Sequence, residues 1–341
     1  MQPAVLYFRD DLCACVAFAG KHHIMHRHMT AIINGLKKLP GTQGSAVTIG
    51  KFDGVHRGHE ELIRHTVAVA RKKGLRSVVI TFRTRYEDVH FPHPLPRLFP
   101  FEETVKRIKA HKPDLIVVID FSPAFGRMVP DEFFQKLIEC YRVEAIAVGK
   151  DFRFGRNAQG TASMLARFAS TRKGKRIQVR IFPFLTYRKK KIATSAVRKA
   201  VLEGDMTAAE RMLGVPFYYS GTIEKGKGIG RTIGFPTANL KPRDGVVVPR
   251  YGVYLTAVRV GTSRIMKALT FVGRSHLHPS VLIETHIIDF NRTVYGRSMD
   301  VFFLRYLRPV LPVRSIDALK SLIENDVHTA RRIRIRSDLC R

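Results

Sequence analysis

Short apolar runs alternate with helical patterns between residues 45 and 149, and this alternation constrains the fold more than any other feature of the sequence. The apolar runs occupy residues 46–49, 77–82, 114–121 and 143–149, and the helical patterns occupy residues 59–70, 101–111 and 129–142. Strands that are apolar throughout are buried on both faces, so we predict a parallel sheet with helices on each side. Ligands of such sheets bind at the carboxyl ends of the strands.

The first of those ends carries a glycine-bearing turn within VTIGKFDGVHRGHEELI, residues 47–63. Gly50, Asp53 and Gly54 interrupt the strand before the helix begins near His59. Such a turn directs backbone N–H groups and a helix N-terminus towards one point, which suits a phosphate.

His56 and His59 stand three residues apart at the entrance of this helix. Once the first turn has formed, the two side chains can face one way. Imidazoles placed there can donate hydrogen bonds to the charge that builds on a phosphate under attack. The spacing alone is equally compatible with a metal-binding pair and with a polar helix start that has no chemical role.

The pattern changes between residues 206 and 216. Later strands are predicted at residues 252–260, 265–273, 281–290 and 299–307, with no long helix among them. Regularly spaced strands of this kind indicate an antiparallel barrel, which an amphipathic helix at 315–333 would close. We therefore predict two domains, residues 29–205 and 206–341.

Composition narrows the class of protein. The chain has 341 residues and a net charge of +31, from 59 Lys and Arg against 28 Asp and Glu, which favours polyanionic partners. The charge is dispersed and no nucleic-acid-binding motif is present, so a nucleic-acid partner is disfavoured. The sequence contains no run of eighteen apolar residues, so no membrane-spanning helix is predicted. The four cysteines fit neither a disulfide framework nor a zinc site, which favours a cytoplasmic protein with reduced thiols.

Residues 1–28 differ from the rest of the chain, with an apolar patch followed by the histidine-rich KHHIMHRH. The acidic residues before the patch argue against a signal peptide. We expect a disordered extension or a start codon assigned too early, with Met25 and Met29 as alternative starts, and we place no function there. The sequence does not predict an oligomeric state.

The string GKFDGVHRGH resembles the G-x-F-D-G-x-H-x-G-H signature of the nucleotidyltransferases, specifically of the bacterial bifunctional riboflavin kinase/FAD synthetase family. The resemblance implies a Rossmann-like nucleotidyltransferase domain followed by a riboflavin kinase-like β-barrel with a C-terminal helix. It implies that the first domain transfers AMP from ATP to FMN, which gives FAD and pyrophosphate, and that the second phosphorylates riboflavin with ATP and Mg²⁺. His56 and His59 would then be catalytic groups at the α- and β-phosphates, and the nucleotide-binding residues around them would be Gly50, Phe52, Asp53, Gly54 and Gly58.

Two further segments of the first domain carry the resemblance. VGKDFRFG, at residues 148–155, matches the family's VGxDFRFG, which implies that Asp151, Phe152, Arg153 and Phe154 line the flavin site. IATSAVR, at residues 192–198, is similar to the family's I-S-S-T-x-x-R, with an alanine in place of the first serine. Hydroxyls at the start of a helix, followed one turn later by an arginine, can bind an anion together. An ordinary N-cap would also explain either hydroxyl. Thr194 and Ser195 would bind the triphosphate, with Arg198 as a catalytic cation.

In the second domain, GKGIGRTIGFPTANL (226–240) resembles the riboflavin kinase signature. This implies nucleotide-binding glycines at Gly226, Gly228 and Gly230, metal ligands at Thr237 and Asn239, and a catalytic base at Glu284.

The segment 270–280 lacks the Pro-Thr pair that the family has in a stretch before that glutamate. Two alternatives therefore stand beside the bifunctional interpretation. The first is an FAD synthetase with a degenerate kinase domain. The second is a basic nucleic-acid-binding protein on a nucleotidyltransferase-like fold.

Overall fold

The computed structural model describes residues 29–171, 177–226, 228–275 and 278–336. The predicted extension at 1–28 lies outside these ranges. The strands of the first part are β1 (Ala31–Asn34), β2 (Ser45–Ile49), β3 (Arg76–Thr84), β4 (Leu115–Asp120), β5 (Val143–Gly149), β6 (Arg153–Phe154), β7 (Gly160–Thr161), β8 (Gln178–Phe182), β9 (Thr186–Tyr187) and β10 (Lys190–Lys191).

Six of these strands form one parallel sheet in the order β1–β4–β3–β2–β5–β8. Every residue of β2 is buried, as expected for a strand covered on both faces. The helices of this part are α1 (Arg57–Lys73), α2 (Tyr86–His90), α3 (Phe101–Lys109), α4 (Pro123–Arg127), α5 (Pro130–Tyr141), α6 (Ala162–Thr171), α7 (Thr194–Glu203) and α8 (Met206–Leu213). The predicted parallel α/β fold is confirmed.

Helix α1 follows directly from its sequence. Leu62, Ile63, Thr66, Val67 and Ala70 recur at helical spacing and are all buried. Three basic residues occupy the last turn, where the negative end of the helix dipole stabilises them. The helix therefore packs one apolar face on the sheet and presents its N-terminus at the carboxyl end of β2.

The second part is an antiparallel sheet in the order β11–β16–β13–β14–β15–β12. A bridge joins its two edges, because the Glu224 N–H that follows β11 donates to the carbonyl of Asn239 in β12 at 2.9 Å. The strands and helices are β11 (Phe217–Thr222), α9 (Ile229–Thr232), β12 (Ala238–Leu240), β13 (Gly252–Val260), β14 (Met266–Ser275), β15 (His278–Ile287), β16 (Ser298–Arg308) and α10 (Ile316–Arg332). The predicted barrel and its C-terminal helix are confirmed.

Helices α7 and α8 lie between the two sheets. Val197 and Val201 of α7 and Leu213 of α8 belong to the same buried cluster as Phe217 and Phe303 of the barrel. The predicted division between residues 205 and 206 falls in the short connection between the two helices, and it stays a prediction.

Several elements were not predicted from the sequence. They are the edge strand β1, the short helices α2 and α4, and the longer helices α6 and α8. Helix α8 occupies residues that the sequence pattern predicted to begin the barrel domain. The strand predicted at 281–290 begins at His278 and ends at Ile287. In the described ranges, the longest apolar stretches in helices fall short of what a membrane crossing requires.

Candidate active sites

The turn between β2 and α1 has an unusual backbone. Phe52, Gly54 and Val55 have φ values of 48°, 82° and 39°, and Phe52 and Val55 are fully buried. Positive φ in apolar residues with side chains stores strain that the surroundings must compensate. A Cβ added at Gly54 would lie 2.4 Å from Cδ1 of Leu98, so only glycine fits there.

The two histidines of the turn lie face to face. Their ring centroids are 3.6 Å apart and the planes are inclined by 18°. His56 is the N-cap of α1, and its Nδ1 accepts a long hydrogen bond of 3.4 Å from the His59 N–H. The edge of Phe52 packs against His59, with centroids 5.2 Å apart. The prediction that both rings face one way is thus met by the geometry.

Both imidazoles are neutral near pH 7. Burial lowers the pKa of His56 to about 4, and burial together with the neighbouring His56 lowers the pKa of His59 well below its usual value. The Nδ1 atom of His59 is buried and has no hydrogen-bond partner among the described residues. Within the same residues, no group of three or more His, Cys, Asp or Glu side chains is placed to hold a metal. Among the described residues, the pair therefore has no third ligand of these types.

Asp53 is 3% exposed and ties the turn to the rest of the domain. Its carboxylate accepts hydrogen bonds from the Leu98 N–H at 2.9 Å and from Nη2 of Arg198 at 3.1 Å. Thr194 Oγ1 donates to the Asp53 carbonyl at 3.0 Å. Arg198 Nε donates to the carbonyl of Pro96 at 2.7 Å. Asp53, Thr194 and Arg198 are therefore brought together, and these bonds connect them to one another and to the 96–98 segment.

The N-terminus of α7 has no side-chain cap, because its N-cap residue is Ala193. Ser195, in the first turn, is exposed. Lys191 lies just before this helix and pairs with Asp151 at 2.5 Å. Asp151 partly offsets the lowering of the His56 pKa by burial, and Lys191 adds to that lowering. Both charged side chains therefore lie near the imidazole pair. Lys191 was not predicted from the sequence, although the basic run at 188–191 was a signal for it.

Aromatic rings form a continuous row beside this site. Phe152 and Phe154 stack with centroids 5.5 Å apart, and Arg153 between them is exposed. The row continues through Phe133 to Phe125, with centroid separations of 5.5 and 6.0 Å.

It then reaches Phe121 and Tyr86, which is 43% exposed. The sequence analysis did not predict these last rings, although both follow the carboxyl ends of strands.

The predicted kinase residues Asn239 and Glu284 lie opposite each other in the register of β12 and β15. The Oδ1 atom of Asn239 is buried and has no hydrogen-bond partner among the described residues. Burial raises the pKa of Glu284 above its usual value. The two residues form a half-buried pair of oxygen donors in the barrel.

The glycine-rich loop packs against this pair. A Cβ added at Gly226 would lie 2.0 Å from Nδ2 of Asn239, so the backbone can approach the amide only without a side chain. Gly228 is exposed and Gly230 half-buried. Thr237 lines a cavity of about 70 Å³ with Arg231 and Arg292, whereas Asn239 and Glu284 are not among its described lining residues.

The segment that departs from the family pattern covers the end of β14 and the start of β15. Residues 276 and 277 and the side chains of 275–280 lie outside the described part of the chain. Gly273 is buried against the ring of Phe271, and Arg274 is exposed.

Comparison with known proteins identifies a family for each of the two parts of the chain. Residues 39–196 match the family model described as FAD synthetase, and residues 213–334 match the one described as riboflavin kinase. A bifunctional riboflavin kinase/FMN adenylyltransferase of Haemophilus influenzae is 34% identical over 297 residues, which is 85% of this chain and 94% of the relative. The protein of that name from Listeria monocytogenes is 30% identical over 301 residues, which is 84% and 91% of the two chains.

A solved structure from Streptococcus pneumoniae, described as a macrolide-efflux protein, has a similar fold. It superposes with a TM-score of 0.79 at 29% sequence identity. The superposition covers 89% of this chain and 99% of that one.

Proposed function

The chain belongs to the bifunctional riboflavin kinase/FMN adenylyltransferase family, and we propose from that premise that it makes FAD in two ATP-dependent steps. Its barrel would phosphorylate riboflavin to FMN, and its α/β domain would adenylylate FMN. The stacked neutral pair of His56 and His59, with an unpartnered ring nitrogen at a helix N-terminus, carries the second assignment. The scattered cysteines support a location in the cytoplasm.

In the adenylyl transfer, a phosphate oxygen of FMN attacks the α-phosphorus of ATP and the bond to the β-phosphate oxygen breaks. Negative charge grows on the α-phosphate oxygens and on the departing pyrophosphate. The neutral rings of His56 and His59 each have one N–H to donate to that charge. Since Nδ1 of His56 accepts from the backbone, its proton lies on Nε2, which is the nitrogen that would face the nucleotide.

The remaining groups of this site would bind and orient the two substrates. The uncapped N-terminus of α7, the hydroxyl of Ser195 and the ammonium of Lys191 would receive the triphosphate. Arg198 would act indirectly. It would keep the turn between β2 and α1 in place through its hydrogen bond to Asp53. The half-buried ring of Phe152, which stacks on the buried Phe154, and the exposed ring of Tyr86 at the other end of the aromatic row offer flat surfaces for the flavin ring.

In the kinase step, Glu284 would accept the proton of the riboflavin 5′-hydroxyl as the hydroxyl oxygen attacks the γ-phosphorus of ATP, and the bond from that phosphorus to the β,γ-bridging oxygen breaks to release ADP. A raised pKa makes this carboxylate a stronger base. The unpartnered Oδ1 of Asn239 and the hydroxyl of Thr237 are the oxygen ligands that a hard cation prefers. When bound there, Mg²⁺ would neutralise charge on the phosphates of ATP. Gly226, Gly228 and Gly230 would let the backbone approach those phosphates.

A product assay tests the proposal. Purified protein is incubated with ATP, Mg²⁺ and either riboflavin or FMN, and the flavins are separated by chromatography. We expect FMN and then FAD from riboflavin, and FAD from FMN. FAD from FMN without any FMN from riboflavin would select the single-activity alternative. Neither product, together with salt-sensitive binding to RNA, would select the nucleic-acid-binding alternative.

A further inference from the structure

A cleft of about 390 Å³ lies between the two domains and is lined by none of the residues assigned above to either reaction. One wall consists of residues from 85 to 102, and the other of residues 243–246, which connect β12 to β13. The Arg97 N–H donates to the Gly245 carbonyl at 2.7 Å, and the Val247 N–H donates to the Arg97 carbonyl at 2.8 Å. The walls are therefore fixed to each other, and the volume is that of a small-molecule site, about 300–1,000 Å³.

Among the described residues beneath this cleft, buried positive charges outnumber buried negative charges. Arg85 and Arg97 line it and Arg198 lies behind them, with side-chain exposures of 8%, 11% and 9%. These three guanidinium groups share two carboxylates, Asp53 and Asp88. Among the described residues, this leaves one buried positive charge without a counter-charge. A buried charge without a counter-charge is unfavourable, so an anion bound here would be stabilised.

The nearest additional acid does not remove the imbalance. Glu87 lies close enough to act electrostatically on Arg85, but its carboxylate is paired with Lys51. Arg243 of the opposite wall forms a loose, exposed pair with Glu102 of the first wall at 3.6 Å. Asp244 beside them is exposed to water.

Arg97 has one guanidinium nitrogen that donates no hydrogen bond within the described residues. Its Nη2 donates to the carbonyl of Arg83 at 2.5 Å and to Asp88 at 3.2 Å. Its Nη1 is buried and has no hydrogen-bond partner in the part of the chain that the structure describes. The Arg97 guanidinium also lies over the ring of Phe101, 5.9 Å from its centroid, and that ring lines the cleft.

We propose that this cleft binds a phosphomonoester, with its phosphate between Arg97 and Arg243 and its organic part against Phe101 and Leu95. The two arginines lie on opposite walls, so they cannot act as one planar fork on a carboxylate, whereas a tetrahedral oxyanion can accept from both. The ligand would link the two domains, since each contributes one of its cations.

Diffraction from crystals soaked in selenate, a phosphate analogue with an anomalous signal, locates the anion directly. We expect an anomalous peak within hydrogen-bonding distance of Nη1 of Arg97, in addition to any peak at the active sites. A cleft that holds only water at selenate concentrations that fill an active site overturns the proposal. If no site binds selenate even at the highest concentration that the crystals tolerate, the empty cleft also overturns the proposal.

Thermal unfolding of the full chain tests the same site in solution, because a ligand that binds only the folded state raises the melting temperature. Inorganic phosphate and phenyl phosphate are the probes. We expect Arg243→Gln to remove part of the stabilisation by either probe, whereas the control Arg314→Gln, at another exposed arginine, keeps all of it.

A larger shift with phenyl phosphate would favour an organic ester over free phosphate as the ligand. Equal shifts in Arg243→Gln and Arg314→Gln would overturn the site. Arg97→Lys keeps the charge but removes Nη1, and is compared in the same way if it folds.

Discussion

The imidazole rings of His56 and His59 stack 3.6 Å apart, with the Nδ1 of one capping the helix that carries the other. Two imidazolium ions could not pack in this way, because like charges at such a distance repel strongly in a buried site. The lowered pKa values of both rings follow from the same burial. The site thus presents neutral hydrogen-bond donors, and this property leads to the first two predictions.

His59→Ala should abolish FAD formation and leave FMN formation from riboflavin unchanged. Loss of one donor to transition-state charge costs about 10²–10³ in kcat. The measurement is the initial rate of each product, with His65→Ala on the same helix as the control. Loss of both activities in a folded His59→Ala protein would contradict the assignment of the reactions to separate domains.

Stability should fall as the pH is lowered from about 7 towards 4.5. His56 has a folded pKa of about 4 against an ordinary value of 6.5, so between these values the unfolded chain binds more protons. The free energy of unfolding therefore decreases with falling pH, by roughly 3 kcal/mol over the full window for this one group.

Urea unfolding followed at several pH values measures this effect, and His56→Gln should flatten the dependence. An unchanged pH dependence in that variant would show that His56 is not the titrating group.

Glu284→Gln should remove riboflavin phosphorylation and spare FAD formation from FMN. A general base contributes about 10²–10⁴ to the rate, and the amide cannot accept the proton. Glu324→Gln, at an exposed position of α10, is the control. In the unmodified protein, the kinase rate should rise with pH through a pKa above 4.5, because burial raises the pKa of Glu284. Normal turnover by Glu284→Gln would refute its role as base.

Arg198→Gln should destabilise the α/β domain and slow FAD formation together. It leaves Asp53 buried beside one fewer cation, and breaking a buried pair costs about 3–5 kcal/mol. Asp53→Asn removes the same bond, so the double variant should be less destabilised than the sum of the single variants, by about 0.5–3 kcal/mol.

The measurement is urea unfolding of the four proteins of this cycle. A fully additive result would separate Arg198 from Asp53 and favour a direct contact with the nucleotide.

Much of the fold was predictable because the signals are local. Strands β2, β3, β4 and β5 each contain a near-continuous apolar run, and this property indicates cover on both faces. Helix α8 was missed because it is short and directly precedes the barrel strands, where the change of pattern was read as a boundary. The edge strand β1 is largely exposed and lacks the longer apolar run that identifies the central strands.

The sequence by itself determined the alternation of the central strands and helices in the first domain, the later change to barrel strands, and the glycine turn, since each depends on neighbours within a few residues. The tertiary structure decided the charge state of the histidines, the partner of Arg198, and, among the described residues, the unpaired acceptor of Asn239 and the unpaired donor of Arg97.

Arg198 and Asp53 are separated by 145 positions in the chain, and no local pattern encodes their contact. Burial and long-range pairing set the cost of each charge, and both exist only once the two sheets have packed together.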